Sequence, residues 1–385
     1  MVQLPSYCTI TWEMFMAGQA GRFKSFDTLK FIAVLLCTTI GHYFQFTQIS
    51  YQPVCETRVM TAIVRFLEYL TSKHTHSLME LLFLVGGFQL YLSYHDRIKV
   101  NSITFFEYFK KRFVRLYPPM VISVIVMSVG VLLYKAVVGT EWRGVFFLTK
   151  AFVMSILGIQ AWTSDIHVLN GPLWYLSVYI LCVIIYYPLE RVSAKYKMGI
   201  LTMFIPVIMA LCHFFNPTAV FMFLHMDVCR GLYGFFLGTV FAAAYKYFSR
   251  KQITISGIPM MVVGIALYVM LNEQILLDPN EGAIIMTMLV WGPMVALLAL
   301  YPKLDEIVGF KPLSFLGKTS IHLYCINFPF LLWMSLIPTM LGYALIYDSF
   351  YIFVMFIALQ IGLSVLMYYL IDKKFVPYFA KAIEK

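Results

Sequence analysis

Residues Phe31 to Phe46 read FIAVLLCTTIGHYFQF, an apolar stretch with a single ionisable side chain, His42, introduced by the basic and polar run Arg22, Lys24, Asp27 and Lys30. An imidazole inside a membrane-spanning helix is costly to keep. Such residues face a bundle interior or a water-filled cavity, so the stretch reads both as a first span and as a candidate site. His42 lies toward its outer end and Lys30 at its inner end, twelve positions or about 18 Å of helix apart.

Outward from this stretch the apolar character never lapses for long. The 385 residues are 61% hydrophobic and 12% charged, with mean hydropathy +0.79, whereas a soluble domain carries roughly 25% charged residues. Runs near the ~20 residues that cross a bilayer recur along the chain. The expected fold is therefore an all-α polytopic bundle of ten spans, at 28–47, 78–95, 119–138, 172–190, 198–214, 229–247, 256–272, 281–301, 318–341 and 347–371. The further apolar run 144–161 contains Lys150, and counting it as a span would put Arg191, Lys195 and Lys197 outside; it is read as re-entrant or interfacial. Residues 1–25 are expected to form a cytoplasmic segment, 26–375 the membrane domain and 376–385 a cytoplasmic tail. No signal peptide is expected at the N-terminus.

The net charge of +10 is read as orientation rather than as a nucleic-acid footprint, because Lys and Arg gather in the loops that ten spans with cytoplasmic termini leave inside. Seven cysteines fall in no disulfide or zinc spacing, and no metal is expected. The lipid bilayer is the one partner that composition alone implies.

Two polar constellations interrupt the apolar pattern. Glu80 lies at a depth similar to His42 and is a candidate to orient or charge-balance it, or else an interfacial carboxylate. Lys110, Lys111, Arg112 and Arg115 precede Tyr117, Pro118 and Pro119, and the Arg-x-x-Arg spacing puts two guanidiniums on one helix face, a geometry suited to phosphate oxygens or to anionic lipid. A deep histidine and an arginine pair at the inner mouth together suggest a phosphate-bearing donor arriving from the cytoplasm. Coenzyme A fits, with Lys30, Arg112 and Arg115 at its phosphates and the pantetheine arm reaching toward His42. Trp174 and Tyr175 read as aromatic-belt residues or as a platform for a sugar acceptor. Asp227 and Arg230 are read as a structural pair on one helix face, His213 and His322 as packing residues and His225 as interfacial.

Four groups of residues, in order, carry a resemblance. They are Phe26-Asp27-Thr28-Leu29-Lys30-Phe31-Ile32-Ala33 leading to Gly41-His42; Phe83-Leu84-Val85-Gly86-Gly87-Phe88; Arg112-x-x-Arg115-x-x-Pro118; and the pair Gly171-Pro172-Leu173-Trp174-Tyr175-Leu176-Ser177 with Leu316 to Tyr324. Over most of its length the chain thus resembles the acyltransferase-3 family of integral membrane O-acyltransferases. The resemblance implies transfer of an acyl group, most often acetyl, from acyl-coenzyme A to a hydroxyl of a surface or lipid-linked glycan, in a cell membrane of the bacterial inner-membrane kind. It makes His42 the catalytic histidine, either as general base or as covalent acyl carrier. Three departures stand out. Eleven residues separate Lys30 from His42, one more than the family usually has, and at about 100° per residue this swings His42 off the Lys30 face unless a π turn absorbs it. Tyr179 stands where an acidic residue is usual, and Asn327 where a late histidine is usual. The competing function is a transporter, in which the internal His and Arg residues would line a proton or substrate path.

Overall fold

The first span is a continuous helix, α1 (24–47), made of α-helix at Lys24–Val34, a π turn at Leu35–Ile40 and α-helix again at Gly41–Thr47. The π turn coincides with two threonines, and Thr38 turns its hydroxyl back on the Val34 carbonyl at 2.6 Å, a bond that competes with the regular backbone ladder. It absorbs one residue of helical phase, which returns His42 from about 120° to about 20° of the Lys30 azimuth. The computed structural model describes residues 23–47, 57–162, 168–196, 204–210, 226–252, 257–273, 279–343, 347 and 349–378.

Ten further helices follow: α2 (Arg58–Lys99), α3 (Phe105–Val138), α4 (Thr149–Leu157), α5 (Trp174–Tyr196), α6 (Met226–Lys251), α7 (Ile258–Glu273), α8 (279–300, with a π turn at Thr287–Trp291), α9 (Pro302–Val308), α10 (Lys311–Met340) and α11 (350–375, closing in a π turn at Tyr368–Phe375). Residues 204–210 are also helical. Among the described residues no strand forms beyond an isolated bridge between Trp142 and Val145. Helix ends follow their sequence signals. Thr57 caps α2 through the Met60 amide, Thr104 and Glu107 form a capping box on α3, and Gly139 ends α3 at φ +79°, where a side chain would be strained.

Seven of these helices contain segments long and apolar enough to cross a membrane: Ser77–Lys99, Phe105–Val138, Gly171–Lys195, Met226–Lys251, Gly282–Leu300, Lys311–Met340 and Phe350–Tyr378. They coincide with seven of the ten expected spans. Of the other three, 28–47 is the π-interrupted α1, 256–272 is the sixteen-residue α7, and most of 198–214 lies outside the described residues, as do His213 and His225. Helix α4 has nine residues, about 13 Å against a hydrocarbon core of about 30 Å, so 144–161 does not cross as one helix.

The directions of the helices follow from their contacts. Lys30 meets Gln89, and the Thr38–His42 stretch borders a cavity shared with Met79, so α1 and α2 are antiparallel. α10 runs with α1, from Gly317 against Asp27 to Asn327 against His42. α5 and α6 both run with α2: Phe83 and Gly86 meet Trp174 and Tyr179, while Glu80 and Leu84 meet Gly234 and Gly238. α8 runs with α6, and α7 and α11 run against α8 and α10.

Glycine sets the closest approaches. A Cβ on Gly87 would overlap the Phe235 carbonyl, one on Gly238 the Leu84 carbonyl, and one on Gly317 the Asp27 carbonyl. Without a hydrophobic driving force between helices in lipid, small residues that let backbones touch hold them together, and here they fix α2 on α6 and α1 on α10. Because overpacking costs typically 1–3 kcal/mol, Gly238→Ala is expected to lower the melting temperature of the detergent-purified protein by several degrees. Gly362→Ala, where a Cβ meets open space, is expected to leave it unchanged or raise it.

Candidate active site

His42 is held from behind by a short chain of amides. Its Nδ1 is 2.6 Å from Asn327 Oδ1, Asn327 Nδ2 donates to Gln360 Oε1 at 3.2 Å, and Gln360 Nε2 donates to the Asn327 main-chain carbonyl at 3.5 Å. Orientation propagates outward from that carbonyl, which can only accept. It takes the NH₂ of Gln360, so the Gln360 oxygen faces the NH₂ of Asn327, and the Asn327 oxygen faces His42. Nδ1 of His42 is then the protonated nitrogen and Nε2 the basic one. Asn327 and Gln360 are both fully buried, and the ring is further braced edge-on by Phe328, 5.4 Å between centroids.

The imidazole borders a cavity of about 160 Å³ lined by Cys37, Thr38, His42, Met79, Pro172, Trp174, Arg230 and Tyr324. On a regular helix Cys37 and His42 would stand about 140° apart; the π turn between them brings both to the cavity side. Pro172 and Tyr324 close one wall, the tyrosine hydroxyl donating to the proline carbonyl, so the Gly171–Ser177 and Leu316–Tyr324 motifs meet there. Above that wall Asn170, fully buried, donates to Ser123 of α3 and to the Cys325 carbonyl, both at 3.3 Å.

Glu80 does not take the place expected of it. Packing of α2 on α6 sets its carboxylate against Arg230, with Oε1 accepting from Arg230 Nε at 3.1 Å and Oε2 from Thr287 of α8 at 3.0 Å. It is fully buried, and a buried carboxylate settles on the nearest cation. The orienting position on His42 belongs to Asn327. Arg230 is 5% exposed, lies 4.0 Å from Asp227 through Nη1 and stacks over Trp174 at 5.5 Å. Read from the sequence as structural, it is a wall of the same cavity as His42. The signal for it was available, since a buried Arg within an apolar span is a functional candidate by default; the same holds for Gln360.

The remaining candidates are distributed in depth. Trp174 borders the cavity, while Tyr175 packs behind it against Phe83 and Tyr324, 4.4 and 5.5 Å between centroids. Lys30 pairs with Asp27 at 2.9 Å and reaches Gln89 at 3.4 Å. Arg112 and Arg115 part company: the Arg112 guanidinium packs over Tyr94 at 5.1 Å, with Nε buried and lacking a hydrogen-bond partner among the described residues, whereas Arg115 is half exposed and 3.8 Å from Asp372. Asp372 also bonds His322 Nε2 at 3.0 Å, so His322, read as a packing residue, is linked through Asp372 to Arg115. Tyr179, at the position where the resemblance led to an acid, stacks on Tyr175 and lies over Gly86.

Comparison with known proteins adds one finding. A family model described as an acyltransferase domain matches residues 23–369. No curated protein and no solved structure matches the chain. With nine-tenths of the sequence inside that match, helices able to cross a membrane and the histidine motif seated on a cavity, the chain belongs to the acyltransferase-3 family and is a multi-pass membrane acyltransferase.

Proposed function

We propose that the protein transfers a short acyl group, acetyl in the first instance, from acyl-coenzyme A to a hydroxyl of a cell-surface or lipid-linked glycan. The observation that carries this reading is the Gln360–Asn327–His42 relay at the cavity wall, which fixes the imidazole as the Nε2 base. A base so prepared takes the proton of the acceptor hydroxyl as its oxygen attacks the thioester carbonyl, a contribution of typically 10² to 10⁴-fold. The cavity on which His42 opens is small, about 160 Å³, and a short acyl group is the one assigned to it.

The donor approaches from the side of Arg112 and Arg115. Arg115 and Ser123, which shares Asn170 with the wall of the cavity, are eight residues apart on α3, about 12 Å. That distance suits a thin pantetheine arm with its phosphates left at the arginines. Lys30, at the inner end of α1, is assigned to the donor phosphates with them. Trp174, on the cavity, is the residue assigned to stacking on the acceptor sugar, and Tyr175 supports it from behind.

Ten crossings with both termini in the cytoplasm of a bacterial-type inner membrane complete the reading. Its support is the alternation of helix directions: α5 ends at one face and α6, parallel to it, starts at the other, so a further crossing between them restores the alternation. The basic ends of α2 and α6, with Arg97 and Lys99 and with Arg250 and Lys251, then fall on the same side.

Two measurements test the proposal. Membranes carrying wild-type protein are expected to incorporate label from labelled acetyl-coenzyme A into glycan, with His42→Ala and the double variant Arg112→Ala/Arg115→Ala each losing at least ~10²-fold at equal expression. Equal labelling by wild type and His42→Ala sinks the assignment and favours transport. Asn327→Ala, which removes the acceptor of Nδ1, is expected to lower turnover ~10–100-fold, as loss of an orienting outer-shell group does elsewhere; Gln360→Ala should have a smaller effect. A fully active Asn327→Ala would remove the relay from the mechanism.

A further inference from the structure

Resting on the acyl-transfer reading, we propose that Arg230 is a catalytic residue, the cation that meets the oxyanion of the tetrahedral intermediate, and that Glu80 and Thr287 are its positioning residues. Three observations converge on it. Arg230 and His42 come from α6 and α1, helices far apart in sequence, yet line one cavity of about 160 Å³. The guanidinium is fixed on several sides, by Glu80 at 3.1 Å, by Asp227 at 4.0 Å and by the Trp174 ring at 5.5 Å. Glu80 is in turn 3.0 Å from the Thr287 hydroxyl, which sits in the π turn of α8 and shares its one proton between that carboxylate and the Ala283 carbonyl at 2.8 Å. A buried ion pair is weak evidence for stability, since well-packed apolar residues replace such pairs at little cost. A pre-oriented cation is what a developing oxyanion requires, because it need not reorganise when the charge appears.

The step balances as follows. The acceptor oxygen bonds the carbonyl carbon while His42 Nε2 takes its proton, and the carbonyl π pair moves onto oxygen opposite Arg230. Collapse re-forms the carbonyl and breaks the C–S bond, and the departing thiolate takes the proton from the His42 imidazolium. The products are the acylated hydroxyl and free coenzyme A thiol. Imidazolium and oxyanion appear and vanish together, and Glu80 offsets the Arg230 charge at rest.

The test compares Arg230→Met, Glu80→Gln, Glu80→Ala and the double variant Arg230→Met/Glu80→Leu in membranes, reading initial rates against labelled acetyl-coenzyme A per folded protein, with thermal stability in detergent as a second readout. Removal of one oxyanion donor costs about 10²–10³ in kcat, so Arg230→Met is expected to lose that factor with KM for acetyl-coenzyme A within about threefold. Glu80→Gln, which keeps an oxygen toward Nε, is expected to retain activity within about tenfold, and Glu80→Ala to fall below it. The double variant removes both buried charges and is expected to recover stability while kcat stays down by 10²–10³. Recovery of turnover by the double variant makes the pair structural and overturns the inference, as does a loss in Arg230→Met confined to KM. If wild type and His42→Ala label equally, the acyl-transfer reading itself falls and this assignment with it, an outcome distinct from a failure of Arg230 alone.

Discussion

Glu80 and Arg230 meet because the bundle leaves neither of them anywhere else to go. Inside an apolar bundle a charge without a partner is costly, and removing one member of a buried pair is worth several kcal/mol of destabilisation. The pair therefore acts as a register pin: α2 can slide or rotate on α6 only by breaking it. The glycines make the pin possible, since Gly234 and Gly238 lie against the backbone of Glu80 and Leu84. Thr287 extends the constraint to α8. Three helices that share one carboxylate cannot shift independently, and the cavity wall that carries Arg230 inherits their rigidity.

Local departures from the α-helix recur where polar groups must meet across the bundle. The π turn in α1 turns the cavity face toward Cys37, Thr38 and His42; that in α8 holds Thr287 beneath Glu80; that in α11 holds Asp372 against His322 and Arg115. Each inserts one residue of phase, and π turns of this kind concentrate at functional sites. The chain thus sets the azimuth of a few polar side chains without changing the packing of the apolar surface above and below them. The two arginines use the same logic differently. Arg112 is drawn in over Tyr94, while Arg115 stays at the surface on Asp372, so two residues a turn apart have unequal reach toward an anion.

The spans were legible because hydropathy is a local property: seven of the ten apolar runs became long helices over nearly the predicted residues. The break in α1 was legible as arithmetic, since one residue too many between Lys30 and His42 left a regular helix out of phase. Pairing was not legible. Asn327 lies 285 residues from His42 and Arg230 lies 150 from Glu80, and depth alone gave Glu80 and His42 equal claim on each other. What decides between partners is helix packing, which depends on glycines whose significance appears only when the facing backbone is known. Asn327 was visible only as a departure from a familiar pattern, and became informative once the space around it was filled.

An uncharged orienting group suits this site better than a carboxylate would. In a soluble triad an aspartate can hold the histidine because water and many dipoles share the charge; buried in a helix bundle, a second anion would need its own cation. Asn327 fixes the same tautomer with a neutral oxygen, and Gln360 fixes Asn327, so the imidazole is oriented without adding net charge. The fully buried carboxylate beside this cavity, Glu80, already lies on Arg230. On the proposed reaction the chemistry creates an imidazolium and an oxyanion in the same small cavity, each offsetting the other. A site so arranged can sit within the membrane bundle at rest, and its electrostatics favour the moment of transfer over the ground state.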